Sequence, residues 1–182
     1  MLELLRKRRS IRKYQNKEVE KDKIEQLIKA ALLSPSSRNI CPWEFIVVNE
    51  KEKLIKLSQT KEHGSVFLKD ASCAIVVLGD SAKSDVWIED ASIASIFTHL
   101  MAESMDLGSC WIQIRNRMHN KTKTSEQYIR EILNIPQHIS IESIIAIGYK
   151  NEDKKVRADD ELNYNKVFFN EYNKAFAFSH SE

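Results

Sequence analysis

An α+β domain is what the sequence predicts, on three observations. Residues 22–33 set Ile24, Leu27, Ile28, Ala31 and Leu32 at the i, i+3, i+4, i+7, i+8 spacing of an amphipathic helix. Residues 73–78 and 141–149 are apolar runs of strand length, rich in β-branched residues. Residues 86–107 form the longest helical stretch, apolar or small on nearly every side. The chain has 182 residues, 42% of them hydrophobic, enough to bury a real core. No repeat, linker or low-complexity segment interrupts it, so residues 1–182 are expected to form a single domain.

Taken in order, Leu2 and Leu5 mark a short amphipathic helix that gives way to an extended segment at Tyr14. The 22–33 helix is expected to stop at Ser34-Pro35, because a residue before proline is pushed out of the α region. Residues 35–43 (Pro-Ser-Ser-Arg-Asn-Ile-Cys-Pro-Trp) read as a polar loop between two prolines. Residues 43–48 follow as a strand and 51–58 as a short helix. The 86–107 helix carries Ile93, Ile96, Phe97, Leu100 and Met101 on one side and Ala91, Ala94, Ser95, Thr98 and Ala102 on the other. Small residues let another helix come close, so this helix is expected to be central and to pack against a second subunit. Gly108 is expected as its C′ residue. Residues 109–115 are a strand, and Thr124 with Gln127 has the form of a capping box opening a helix that Pro136 ends. The tail from about residue 160 mixes aromatics with Asn and Lys. It either clasps a partner subunit or ends in disorder.

Composition narrows the chemistry. Lys+Arg 28 against Asp+Glu 26 leaves a net charge of +2, so the whole chain is no polyanion binder and any basic site is local. With four glycines and no GxGxxG or GxxxxGK[ST], neither a Rossmann nor a Walker phosphate loop is expected. Cys41, Cys73 and Cys110 lack zinc spacing and do not form a disulfide framework. No signal peptide and no bilayer-spanning run is found, which points to a reduced, cytoplasmic protein without membrane partners.

A phosphate would therefore have to be held by side chains. Residues 8–12 place three guanidinium groups (Arg8, Arg9, Arg12) and the Ser10 hydroxyl within five positions. Such forks fit phosphate or a carbonyl edge. The same run also reads as a solvated basic face or a nucleic-acid patch, and the residues alone leave these open. The 35–43 loop offers hydroxyls, an amide and main-chain N–H groups to a flat heteroaromatic ligand, or is a plain connector. His63, His99, His119, His138 and His180 are scattered, and each is expected to be structural or exposed.

Four blocks in order resolve these alternatives: Arg-Arg-Ser-Ile-Arg-Lys-Tyr at 8–14, the 35–43 loop, Leu-Gly-Ser-Cys-Trp-Ile at 107–112, and Gly148-Tyr149 followed by Lys155-Val156-Arg157. With them the chain resembles a short member of the flavin-dependent nitroreductases over residues 2–157. The resemblance implies a mixed β-sheet wrapped by helices, and an intertwined homodimer with a central interface helix. One FMN would lie at each of two interfaces, reduced by NADH or NADPH and reoxidised by a small-molecule acceptor, with no nucleic acid involved. It further implies that Arg8, Arg9, Ser10 and Arg12 hold the FMN phosphate, ribityl chain and pyrimidine edge, joined at the phosphate by Lys155 and Arg157. Pro35, Ser36, Ser37 and Asn39 would come from the other subunit. Ser109, Trp111, Ile112 and Gln113 would run beside the ring's working edge. No side-chain acid or base is assigned, since the flavin carries the hydride chemistry. Three departures stand out: Cys41 where the family commonly has Gln or His, Gln113 where Gly is frequent, and a short 116–123 segment with little room for lid helices.

Overall fold

The computed structural model describes residues 1–178. Its elements are α1 (Leu2–Lys7), α2 (Lys21–Leu32), β1 (Trp43–Val48), α3 (Lys51–Ser58), β2 (Cys73–Asp80), α4 (Trp87–Ser104), β3 (Leu107–Gln113), α5 (Ser125–Leu133) and β4 (Ile139–Tyr149). The strands form one sheet in the order β1-β2-β4-β3, every ladder antiparallel. The resemblance implied a mixed sheet. Here the parallel component is a single bridge from Ser10 to Ser109 on the outer edge of β3.

All eight residues of β2 are buried, as its unbroken apolar run requires. One face of the sheet packs Val76, Ile112, Ile144 and Ala146 against Leu54 and Leu57 of α3 and Ile129 of α5. The opposite face packs Ile75, Val77, Ile145 and Ile147 against Leu27 of α2 and Trp87, Ala91 and Ala102 of α4. The Thr124 capping box forms, with its hydroxyl on the Gln127 N–H and the Gln127 side chain on the Thr124 N–H.

The sequence reading of α4 is corrected in two ways. The helix ends at Ser104, and Asp106 takes the left-handed turn (φ 60°) assigned to Gly108. Gly108 lies inside β3, where a Cβ would stand 2.8 Å from Ile11 Cβ; its lack of a side chain serves close approach, not helix termination. The faces are also reversed. Ala91, Ala94, Ser95, Thr98 and Ala102 are buried against the protein's own chain, while Ile93, Ile96 and Phe97 stay 36–41% exposed. Likewise α5 stops at Leu133 through left-handed Asn134 (φ 54°), two residues before Pro136.

Between β3 and α5, residues 114–124 form turns closed by a Met118–Thr124 bridge. Asn120 Oδ1 accepts from the Thr122 and Lys123 N–H groups, and the His119 ring stacks on Tyr128 at 3.9 Å. The tail curls on itself, joining Phe168 to Ala175 and setting Tyr164 against Phe178 with the rings tilted, with Phe169 and Tyr172 exposed.

Candidate functional site

The N-terminal segment is laid across the sheet by two glycines. Gly108 and Gly148 pair directly across β3 and β4. Ile11 fills the space over the first and Tyr14 that over the second, where a Cβ would come within 2.9 Å of the Tyr14 ring. Ile11 N–H donates to the Ser109 carbonyl at 3.0 Å, and Tyr14 bridges Lys150. Arg8, at the end of α1, is already extended (φ −60°, ψ 117°).

Residues 152–159 close the other side. The Arg9 guanidinium donates to the Lys155 carbonyl, Arg157 N–H donates to the Arg6 carbonyl at 3.2 Å, and Arg6 pairs with Asp159 at 2.5 Å. Glu152 Oε1 accepts from the Arg12 and Lys13 N–H groups at 2.5 and 3.1 Å. The structure therefore brings Arg8, Arg9, Ser10 and Arg12 to Lys155 and Arg157, although some 145 residues separate them in the chain. The guanidinium groups of Arg8, Arg12 and Arg157 have no hydrogen bond or carboxylate partner among the described residues. Lys155 points elsewhere, to Glu161 at 3.0 Å. The Arg12 guanidinium lies 5.8 Å from the centre of the Phe67 ring.

Beside this cluster runs the edge strand β3. Its pairing with β4 sets Ile112 opposite Ile144, and the Ile112 side chain is buried in the core. Trp111 and Gln113 are half-buried on the α4 side. The Ser109 hydroxyl sits 2.7 Å from Nδ1 of His99, a buried α4 residue that the sequence did not single out. Burial, and secondarily the charge of Arg8, push the His99 pKa down to about 4, so the ring is neutral at pH 7. At the far end of β3, burial raises Glu142 to about 7, partly offset by its hydrogen bond from the Ser92 hydroxyl at 2.5 Å. Its second oxygen, Oε2, is buried and unpartnered. His63 and His138 are exposed; His180 lies outside the described residues.

The 35–43 loop is built separately. Arg38, Asn39 and Cys41 adopt left-handed backbone (φ 51°, 54° and 52°). The Ser36 hydroxyl accepts from Cys41 N–H at 2.9 Å, and Asp90 at the start of α4 accepts from Ser37 N–H at 2.8 Å. Pro35, Ser36, Ser37 and Asn39 are thus anchored at Asp90, whereas Arg8 lies by His99. Asp90 and His99 are nine positions apart on α4, about 14 Å along the axis. Among the described residues no hydrogen bond joins the loop to residues 8–12. The loop and the 8–12 segment are thus built separately within one chain.

Comparisons with known proteins agree with this fold. The Nitroreductase family model matches residues 5–66 and 55–149. An Archaeoglobus fulgidus protein assigned as an NADH dehydrogenase/NAD(P)H nitroreductase is 36% identical, over 91% of this chain and 95% of that one. A Bacillus subtilis FMN reductase [NAD(P)H] is 25% identical, over 90% and 72%. The solved structure of an FMN-dependent nitroreductase from Clostridium difficile R20291 superposes with a TM-score of 0.93 at 54% identity, covering 94% of this chain and 100% of that chain. Fold, segment order and relatives coincide, and this chain belongs to the nitroreductase family.

Proposed function

We propose that this protein is an FMN-dependent oxidoreductase that takes hydride from NADH or NADPH. It passes the electrons to a nitroaromatic, quinone or similar conjugated acceptor in a ping-pong cycle. The observation that carries this reading is the trio Arg8, Arg12 and Arg157. These residues lie on two segments that the Arg9–Lys155 and Arg157–Arg6 contacts bring together beside an open sheet edge, and none of the three guanidinium groups has an acidic partner among the described residues. Uncompensated cations gathered in this way call for an anion, and a phosphate monoester with close to two negative charges matches the donor set.

FMN, when bound, supplies the two-electron chemistry. The chain's own groups supply grip and field. Arg8, Arg157 and Ser10 take the phosphate and ribityl end. Arg9 ties the 8–12 segment to Lys155, and Lys155 is drawn to the phosphate from its exposed pair with Glu161. Arg12 takes the pyrimidine edge, where its charge stabilises the negative charge that reduction places near N1 and O2. The outward main-chain groups of Trp111 and Gln113 face N5 and O4. Pro35, Ser36, Ser37 and Asn39 complete the site of a second subunit. The 14 Å offset between the half-sites and the exposed Ile93, Ile96 and Phe97 support a homodimer built around α4. The unpaired Cys41, Cys73 and Cys110 support a reducing, cytoplasmic setting. Among the described residues no helix is long and apolar enough to cross a membrane.

The test is the visible spectrum of the purified protein, followed by anaerobic mixing with NADH and with NADPH. A yellow dimer bleached by either donor is expected. A flavin that stays oxidised makes the protein a flavin store or sensor of the same fold. A colourless monomer that refuses added FMN refutes the reading.

A further inference from the structure

The outer edge of β3 is open over a short length, and Gln113 sets that length. Antiparallel pairing alternates the direction of main-chain groups. Ile114 N–H donates to the Glu142 carbonyl, so residues 110, 112 and 114 point toward β4. Ser109 points the other way, since its carbonyl accepts from Ile11 N–H. Trp111 and Gln113 share that outward direction. Ser109 is covered by the Ser10 bridge. At the other end, Arg115 N–H turns back to the Glu142 carbonyl, and Gln113 Nε2 donates to the Arg115 carbonyl at 3.1 Å. The other end of the same amide, Oε1, accepts the Trp111 indole N–H at 3.0 Å. Among the described residues the Trp111 carbonyl has only a long contact from Cys110 Sγ, 3.6 Å.

We propose that Gln113 is a positioning residue for a planar heteroaromatic ligand: its amide bars one end of the open edge and fixes the indole beside it. What remains is a window two residues long, the main-chain groups of Trp111 and Gln113, about 7 Å between like groups at strand rise. That length accepts one ring edge in one register and is too short for a paired strand. It also protects an edge strand from pairing with another chain. The identity of the ring as FMN rests on the function proposed above.

Amide hydrogen exchange on the apoprotein and on the FMN-loaded protein tests this. In the apoprotein, the Trp111 and Gln113 amides should exchange fast, alternating with slow Cys110, Ile112 and Ile114. Adding FMN should slow those two and leave Arg115 unchanged. The Gln113→Ala variant should bind FMN about tenfold more weakly, because the window is no longer preorganised. Gln113→Glu keeps an acceptor for the indole and loses the donor to Arg115, so its affinity should fall between. Slow Trp111 and Gln113 amides in the wild-type apoprotein would overturn the window. An unchanged Kd and protection map in Gln113→Ala would overturn the role of Gln113. Fast amides in a wild-type protein that takes up no FMN would instead refute the proposed function and the ring as occupant.

Discussion

Replacing His99 by Asn should flatten the acid limb of the stability curve. The imidazole is 6% exposed, is held by the Ser109 hydroxyl at 2.7 Å and lies near the Arg8 charge. Its pKa falls from 6.5 to about 4 on folding. The unfolded chain therefore takes up a proton below pH 6.5 while the folded chain stays neutral until about pH 4. Stability from this group is complete above 6.5 and drains away as pH drops through that interval. Between pH 7 and pH 5 the two curves differ by roughly 2 kcal/mol at 1.36 kcal/mol per pH unit. Asn keeps a polar atom near the Nδ1 position and does not titrate. Urea unfolding of both proteins at pH 7, 6 and 5 isolates the contribution, since the carboxylates common to both cancel. The wild type should lose about 2 kcal/mol more than the variant over this range. Parallel stability curves would show that His99 titrates alike in the folded and unfolded chain, as a solvated imidazole does, and would refute the argument.

Glu142 works in the opposite sense. Its pKa rises on folding to about 7, so its contribution is intact below 4.5 and is lost as pH climbs through 7. Glu142→Gln should remove a fall in stability between pH 5 and 7, read in the same urea series. Arg12→Ala should weaken FMN binding by about 1.5–3 kcal/mol, the worth of one charge-assisted hydrogen bond, measured as flavin retained after dialysis. Retention equal to wild type would remove Arg12 from the site. Gly108→Ala should cost about 1–3 kcal/mol in a thermal melt, because the new Cβ meets Ile11 Cβ at 2.8 Å. No change would mean that the N-terminal segment shifts freely.

Much of this molecule is written locally. The Lys21–Leu32 stripe, the strand at Trp43–Val48 and the Thr124–Gln127 box depend on neighbours within a turn or on an alternating face, and they are visible without coordinates. Gly108 misleads because a glycine after a helical run has two uses, and only the position of Ile11, 97 residues earlier, decides between them. The two faces of α4 were distinguishable, but their assignment was not. Small side chains suit close packing against α2 and the sheet as well as against a partner. The arginine cluster was recognisable as a motif, whereas the pairing of residues 6–9 with 155–159 that presents it was not. His99, Glu142 and Phe67 gave no signal, since their environments come wholly from other segments. Within the 86–107 helix nothing marks Asp90 as an anchor, and its grip on Ser37 depends on the loop folding back onto the helix start.

The facing pair Gly108 and Gly148 has a broader consequence. The cationic cluster rides on a saddle whose depth is set by two missing methyl groups, so its height above the strands is a backbone property. Exchanging one cation for another at Arg8 or Arg12 alters charge and reach but leaves this height untouched. A redesign aimed at a thicker or thinner coenzyme would have to begin underneath, at the glycines and the two side chains nested in them.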